Sequence, residues 1–304
     1  MQQRFPPVVV LGIALVFAVV GFLVGRWWTS RTSPPPETLE APDSLPAATQ
    51  GDTFPRLEIH SKHFLYGYPL GAPAYSDLII RDIYALSAND STRMADWVAY
   101  RLERWMLEGN RRLNRVWRPD PWLEEDERLE PEDYRGASRE LRMDRGHLAP
   151  LASFKGTRNW EESNYLSNIA PQKDALNRGP WRMLEEAERD LLQYTEPIYV
   201  MAGPLYEHPM PPLPGADEPH RVPSGFWKII LMPRKPLPDS LLAFAFIFDQ
   251  NTRRDEHFLD HLVSINEVEQ RTGLDFLPEL PDSIEERIES RTDTSAARRY
   301  LLRH

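Results

Sequence analysis

The chain of 304 residues contains no cysteine and carries a formal net charge of −10 at pH 7. The lack of cysteine excludes disulfides, thiolate metal sites and cysteine nucleophiles, so any metal site has oxygen or imidazole ligands. An acidic chain is unusual for a protein that grips nucleic acid by bulk electrostatics. The acidic excess is uneven, however, because residues 139–190 carry nine basic and nine acidic side chains.

The first predicted element is an apolar helix near the amino terminus. No charged residue occurs from Phe5 to Gly25, and this stretch is long enough to cross a bilayer as one helix. We predict a short tail over 1–5 and a transmembrane signal-anchor helix over 6–25. A cleaved signal peptide is the alternative, but the apolar run is long for one and no small-x-small cleavage site follows closely.

Residues 26–56 are predicted to form a spacer. They include Pro34-Pro35-Pro36 and many Ser, Thr, Glu and Ala residues, with too few apolar side chains to build a core.

Basic residues lie on both sides of the predicted transmembrane helix, with Arg4 before it and Arg26 and Arg31 after it. The charge rule therefore leaves the membrane orientation open.

A globular domain is predicted over 57–284, followed by a charged tail over 285–304 that forms a surface helix or frays. Helical spacing of apolar residues predicts helices over Met94–Leu107 and Trp181–Leu192. Because strands and helices mix without a repeating βαβ unit, the predicted class is α+β. Strand-forming runs are found at 76–86, 198–201, 226–232 and 241–248.

The densest chemical motif is Asp144-Arg145-Gly146-His147. A neutral imidazole can take a proton from an attacking water, and a guanidinium can bind phosphate oxygens and oppose the charge of a transition state. A glycine between them lets the backbone pass close to a substrate. The grouping is what phosphodiester hydrolysis needs, although alone it is equally compatible with a turn held by a structural salt bridge.

A second cluster follows the segment Asn164–Gln172, which is predicted as a strand ending at a proline. Asn177, Glu185 and Arg189 would share one face of a helix at about 100° per residue. Pro180 fits such a helix only in its first turn, which places Asn177 at the helix start. An amide oxygen there can ligate a hard, hydrated cation. Taken singly, these residues are as well explained by a helix cap and an ordinary surface pair.

In combination, these motifs resemble the DNA/RNA non-specific endonucleases, most closely the Serratia-type members and more distantly mitochondrial endonuclease G. The shared pattern is Asp-Arg-Gly-His, then Asn-Tyr-Leu-Ser-Asn-Ile-x-Pro-Gln, then Asn-x-x-x-Trp-x-x-Leu-Glu. The resemblance extends from about residue 80 to residue 277. It includes the segments Ala95–Tyr100, Gly203–Glu207, Phe248–Thr252 and Arg271–Leu274.

The resemblance implies a ββα-metal finger on a central antiparallel sheet. It implies that His147 is the general base and that Asn177 is the only protein ligand of a hydrated Mg²⁺, for which Mn²⁺ could substitute. Glu185 would hold metal-bound waters. Asp144 is a further candidate catalytic residue, and the products would carry 5′-phosphates. The phosphate-contacting positions of the family correspond to Arg115, Arg145 and Arg189.

Arg115 is the least specific of these assignments. Arg111, Arg112 and Arg118 lie nearby, and a solvated basic face is the usual meaning of such a run.

The predicted function is a metal-dependent endonuclease that cuts DNA and RNA through contacts to phosphate and sugar. The alternatives are a catalytically idle module that binds nucleic acid or a protein, and an enzyme acting on another phosphodiester. An unrestrained nuclease would damage its own cell, so we predict that the domain is extracytoplasmic, on the periplasmic side of a bacterial inner membrane. The sequence leaves open whether the chain forms a homodimer.

Overall fold

The computed structural model describes residues 59–109 and 112–302. The predicted tail over 1–5, the transmembrane helix over 6–25 and the spacer over 26–56 lie outside these residues. Within the described part of the chain, no helix is long and apolar enough to cross a membrane.

The described strands form two antiparallel sheets. Seven strands make a central sheet in the order β1-β2-β3-β6-β7-β8-β9, and β4 pairs with β5 in a separate ribbon. The strands are β1 (Asp77–Ile80), β2 (Ala85–Asn89), β3 (Met94–Leu102), β4 (Met143–His147), β5 (Ile169–Lys173), β6 (Ile198–Leu205), β7 (Gly225–Met232), β8 (Leu242–Asp249) and β9 (Leu262–Val263).

The described α-helices are short, and several have polar caps. Ser264 Oγ accepts a hydrogen bond from the Glu267 amide at the start of its helix, and Asp293 does the same for Ala296, which satisfies amides that a helix start leaves unpaired. The helices are α1 (Asp174–Leu176), α2 (Arg182–Asp190), α3 (Ile265–Thr272), α4 (Asp282–Glu289) and α5 (Thr294–Leu301). The predicted helix over 181–192 is confirmed, with regular α-helix over its central residues.

The central sheet is buried on both faces. In β7, Phe226 and Ile230 belong to one apolar cluster, whereas Trp227 and Ile229 belong to the other, and all four side chains are at most 1% exposed. Alternate residues of one strand therefore fill two cores. Helix α2 packs into the first core and α3 into the second. This three-layer arrangement confirms the α+β class and the antiparallel sheet.

The predicted helix over 94–107 is wrong. Its first nine residues are strand β3, and a 3-10 turn over Arg104–Leu107 follows. Since β3 lies inside the sheet, Trp97 is buried in one core and Val98 and Tyr100 in the other. A strand buried on both faces has apolar residues at consecutive positions, and some of these positions also fit the spacing of a helix.

Two other segments differ in detail from their predictions. The predicted strand over 76–86 is a hairpin, because the Arg81 amide bonds to the Tyr84 carbonyl and the chain reverses between β1 and β2. The segment 164–172 starts with 3-10 turns, and its strand continues through Pro171.

The residues predicted as a charged tail form α4 and α5 for most of their length. Ala297, Tyr300 and Leu301 of α5 are buried in the first core.

Candidate active site

One cleft collects six of the seven side chains that the sequence marked as candidates. It has a volume of about 550 Å³, and its lining draws on β4, on the turn before α2 and on the segment around residue 115. The six candidate side chains are Arg115, Asp144, Arg145, His147, Asn177 and Glu185. Residues up to 70 positions apart in the chain therefore meet at one site.

The β4–β5 ribbon carries the Asp-Arg-Gly-His motif into the cleft. Arg145 lies opposite Pro171 and His147 opposite Ile169. Gly146 is needed for close packing, since a Cβ atom there would lie 2.6 Å from Gln172 Oε1 and 2.8 Å from Gln172 Cβ. Both distances are shorter than a carbon contact allows, so a larger residue would push the strands apart.

His147 is held as a neutral imidazole. Its Nε2 atom lies 3.2 Å from Asn164 Oδ1, and the amide nitrogen of Asn164 donates to the Asn114 carbonyl at 3.1 Å. That second bond fixes which end of the amide faces the ring, so Nε2 carries the proton and Nδ1 keeps its lone pair. Burial lowers the pKa of His147 to about 4, with a further contribution from the Arg115 charge.

Asp144 organises the side chain of Asn177. The Asn177 amide nitrogen donates to Asp144 Oδ2 at 2.9 Å, which leaves the Asn177 Oδ1 end of the amide to bind a cation. The Arg178 guanidinium donates to the same carboxylate from Nε and Nη2, at 2.8 and 2.6 Å. Burial raises the pKa of Asp144, but the bonds from Arg178 and Asn177 outweigh it and the net pKa is lowered.

Arg145 contacts two aromatic rings. Its guanidinium carbon is 4.9 Å from the Tyr134 ring centre and 5.6 Å from that of Trp117, and its Nη2 atom donates to the Pro131 carbonyl at 2.8 Å. Trp117 also contacts the His147 ring, with centroids 5.3 Å apart. Cation–π contacts of this kind fix a guanidinium without neutralising its charge.

Glu185 lies beside a buried ion pair. Burial raises its pKa to about 7, which the Lys228 charge only partly offsets. Lys228 donates to Glu188 Oε2 at 2.9 Å, and the Tyr100 hydroxyl donates to Glu188 Oε1 at 2.8 Å. Lys228, Glu188 and Tyr100 are all fully buried, so this group ties α2 to the sheet beneath the cleft.

Arg189 lies on α2 but does not line the cleft. Its Nη1 atom is 3.5 Å from Ser153 Oγ, and its charge lowers the pKa of Glu185. The single helix predicted from Asn177 to Arg189 is also broken. Gly179 adopts φ −111° and ψ −116°, so Asn177 belongs to an irregular turn and Pro180 precedes the regular helix, as its missing amide favours.

Several lining or supporting residues were not predicted. Their position could have revealed Arg178 and Arg182. Arg178 comes directly after Asn177, and Arg182 follows five residues after Asn177. Asn164 lies within the Asn-Tyr-Leu-Ser-Asn motif, but the sequence predicts no role for it. Trp117 follows Arg115 by two residues and Tyr134 precedes Asp144 by ten, but no spacing pattern pairs either ring with Arg145.

The oxygen atoms of the cleft suit a hard cation. Asn177 offers an amide oxygen, and Glu185 and Asp144 offer carboxylates. In residues 59–109 and 112–302, the only cluster of three His, Asp or Glu groups with metal-binding spacing lies elsewhere, at Asp77, Asp90 and Glu127. An ion bound here would have few protein ligands and many waters, as Mg²⁺ prefers.

The cleft combines a neutral imidazole, several guanidinium groups and oxygen ligands. These are the groups that a phosphodiester hydrolase uses. The chain belongs to the DNA/RNA non-specific endonuclease family, whose model matches residues 61–283. The predicted family is therefore confirmed, and the protein is a nuclease.

Individual relatives agree with this membership. A nuclease of Serratia marcescens is 41% identical over 215 residues, which are 70% of this chain and 79% of the relative. Human mitochondrial endonuclease G is 30% identical over 229 residues, or 69% of this chain and 72% of that protein. The fold resembles a chain in the crystal structure of an EndoG/EndoGI complex, with a TM-score of 0.61 and 26% identity over 71% of this chain and 90% of that chain.

Proposed function

We propose that the cleft hydrolyses phosphodiester bonds of DNA and RNA with Mg²⁺, which Mn²⁺ can replace. The observation that carries this proposal is the placement of a neutral imidazole, His147, in one cleft with the Asp144–Asn177 pair. Asn177 Oδ1 would hold the cation, and Glu185 would help to hold it through water. The bound cation supplies positive charge that stabilises the transition state.

His147 is the general base of the proposed reaction. Its Nδ1 lone pair accepts a proton from water as the water oxygen bonds to phosphorus. The bond between phosphorus and the 3′-oxygen breaks, and that oxygen takes a proton from solvent to give a 3′-hydroxyl and a 5′-phosphate. Arg145 is positioned by Tyr134 and Trp117 to oppose the growing negative charge on the phosphate oxygens.

The contacts available in the cleft explain tolerance of any base. Arginine side chains bind phosphate, which every nucleotide carries, and base edges are not required. Arg115 lines the cleft and is exposed, which suits a phosphate contact. Arg189 acts indirectly in this proposal, through its effect on Glu185.

Digestion of supercoiled plasmid and of RNA tests the proposal. Wild-type protein with Mg²⁺ should degrade both polymers, EDTA should stop the reaction, and Asn177→Ala should reduce it sharply while the protein stays folded. A protein that shifts DNA in a gel without shortening it would be an idle binder. Cleavage of a small phosphodiester with intact plasmid would indicate a different substrate.

We also propose that residues 6–25 anchor the nuclease in a membrane with the domain on the extracytoplasmic side. The support is the uncharged run from Phe5 to Gly25 and the Pro-rich spacer behind it. Full-length protein should sediment with membranes, and protein lacking residues 1–56 should not. Protease added to intact spheroplasts should digest the domain, and digestion only after lysis would contradict the outward orientation.

A further inference from the structure

Two arginines on the rim of the cleft have no contact with substrate in the reaction described above. Arg178 and Arg182 both line the cleft, and their side chains are 52% and 54% exposed. Arg182 Nε donates to the Arg178 carbonyl at 3.3 Å. The Arg182 guanidinium therefore lies next to the Arg178 backbone. Both side chains line the same part of the rim, beside Asn177.

Arg178 keeps donors free while it holds Asp144. Its Nε and Nη2 atoms each make one bond to the carboxylate, whereas a guanidinium has five N–H donors. The Nη1 atom and the second hydrogen of Nη2 can therefore bind another acceptor without disturbing the Asp144–Asn177 pair.

Apart from the bond to the Arg178 carbonyl, Arg182 has one side-chain partner, and that contact is exposed. It forms an ion pair with Glu186 one turn along α2, and Glu186 is itself 33% exposed. Such i,i+4 surface pairs are weak and are screened by salt. A phosphate group can replace Glu186, because the planar guanidinium matches two phosphate oxygens at once.

Local charge also favours an anion at this rim. The chain has a net charge of −10, yet the cleft lining has four arginines, Arg115, Arg145, Arg178 and Arg182, against two carboxylates, Asp144 and Glu185. Arg178 and Arg182 add two positive charges to those of Arg115 and Arg145, to which the proposed function already gives phosphate contacts.

We propose that Arg178 and Arg182 form a rim subsite that binds backbone phosphates flanking the scissile phosphate. This inference rests on the proposed function and narrows the substrate class to polymers several nucleotides long. Each contact should release condensed counterions, so binding should weaken as salt rises.

The test measures binding of a fluorescent single-stranded oligonucleotide to the full-length protein in detergent with EDTA, over a range of NaCl concentrations. Arg182→Gln should reduce the slope of log K against log salt by about 0.7, the value for one phosphate contact on a single strand. The Arg178→Gln/Arg182→Gln double variant should reduce it by about 1.4. Arg182→Gln is the cleaner single change, because Arg178 also holds Asp144.

Arg287→Gln is the matched control. Arg287 is a helical arginine that is 47% exposed and paired with Asp239 at 2.9 Å, and it does not line the cleft. The control should keep the wild-type slope, and circular dichroism should show that every variant is folded. A second readout is KM with Mg²⁺, which Arg182→Gln should raise more for a 12-nucleotide strand than for a dinucleotide.

The outcomes separate this inference from the proposed function. If the wild type cuts nucleic acid but Arg182→Gln and the double variant keep the wild-type slope and length dependence, the rim subsite is wrong and the nuclease proposal stands. If the wild type cuts neither polymer, the nuclease proposal fails. The slopes measured in EDTA still confirm or overturn the rim subsite in that case.

Discussion

At the scale of single residues, the protonation state of His147 is the most specific consequence of the geometry. Burial lowers its pKa to about 4, so the ring is neutral above that pH and becomes charged only as the pH falls below it. We expect its NMR titration in metal-free protein to have a midpoint near pH 4. A midpoint near the ordinary value of about 6.5 would contradict the desolvated site. The His147→Ala variant identifies the signal.

Asp144 should act by orienting Asn177. Asp144→Asn replaces one acceptor oxygen by a donor and removes the charge that Arg178 binds. Partners that orient metal ligands typically contribute about 10-fold to 100-fold to metal affinity, and we expect a loss of this size in Mg²⁺ affinity by calorimetry. Asp174→Asn is the control, because Asp174 pairs with Arg142 at 3.3 Å and does not line the cleft. Equal losses in both variants would argue against an orienting role.

The sequence was sufficient to predict residues that belong to a contiguous motif. His147, Asn177 and their neighbours reach one cleft because the β4–β5 ribbon and the following turn are formed by adjacent segments. Tyr134 and Trp117 could not be found in the same way, since only tertiary packing brings their rings to Arg145.

At the scale of elements, the ribbon depends on Gly146. Gly146→Ala would place a methyl group against Gln172, and because β4 carries both Arg145 and His147, the distortion would move both. We expect lower thermal stability together with at least a tenfold loss of DNA cleavage. Thermal unfolding and initial rates measure the two effects. Full activity and an unchanged melting temperature would show that the strands adjust freely at this point.

The buried ion pair between β7 and α2 makes a second prediction at this scale. Lys228→Met leaves Glu188 charged and buried without its cation, which typically costs about 3–5 kcal/mol. Replacing both charged residues by apolar ones, as in Lys228→Met/Glu188→Leu, should lower the free energy of unfolding less than the single change. The reason is that the wild-type pair loses hydration when it is buried, and an apolar pair has no such cost. Urea unfolding measures both. A double variant that loses at least as much stability as Lys228→Met would contradict this view.

Strand β3 was predicted as a helix, and its surroundings in the sheet explain the error. Its burial on two faces depends on β2, on β6 and on layers that come later in the chain. A window of consecutive apolar residues has no information about those partners, so helix and strand cannot be separated by spacing alone. Strands β6, β7 and β8 were easier to recognise, because their apolar runs are short and bounded by Pro, Gly or Asp.

At the scale of the whole molecule, local and total charge have opposite signs. The chain is acidic overall, but arginines outnumber carboxylates in the cleft lining. The net charge alone disfavours nucleic acid as a binding partner. The positive charge of the cleft lining favours it. A nuclease needs only a locally attractive site, because its substrate has to reach the cleft and not the entire surface.

The most direct test of the central claim is the rate at which His147→Ala cuts supercoiled plasmid in Mg²⁺, measured beside the wild type. Removing a general base typically lowers the rate about 10²-fold to 10⁴-fold, and we expect a loss in this range with an unchanged circular dichroism spectrum. A folded His147→Ala protein that cuts within tenfold of the wild-type rate would contradict the assignment of His147 as the base.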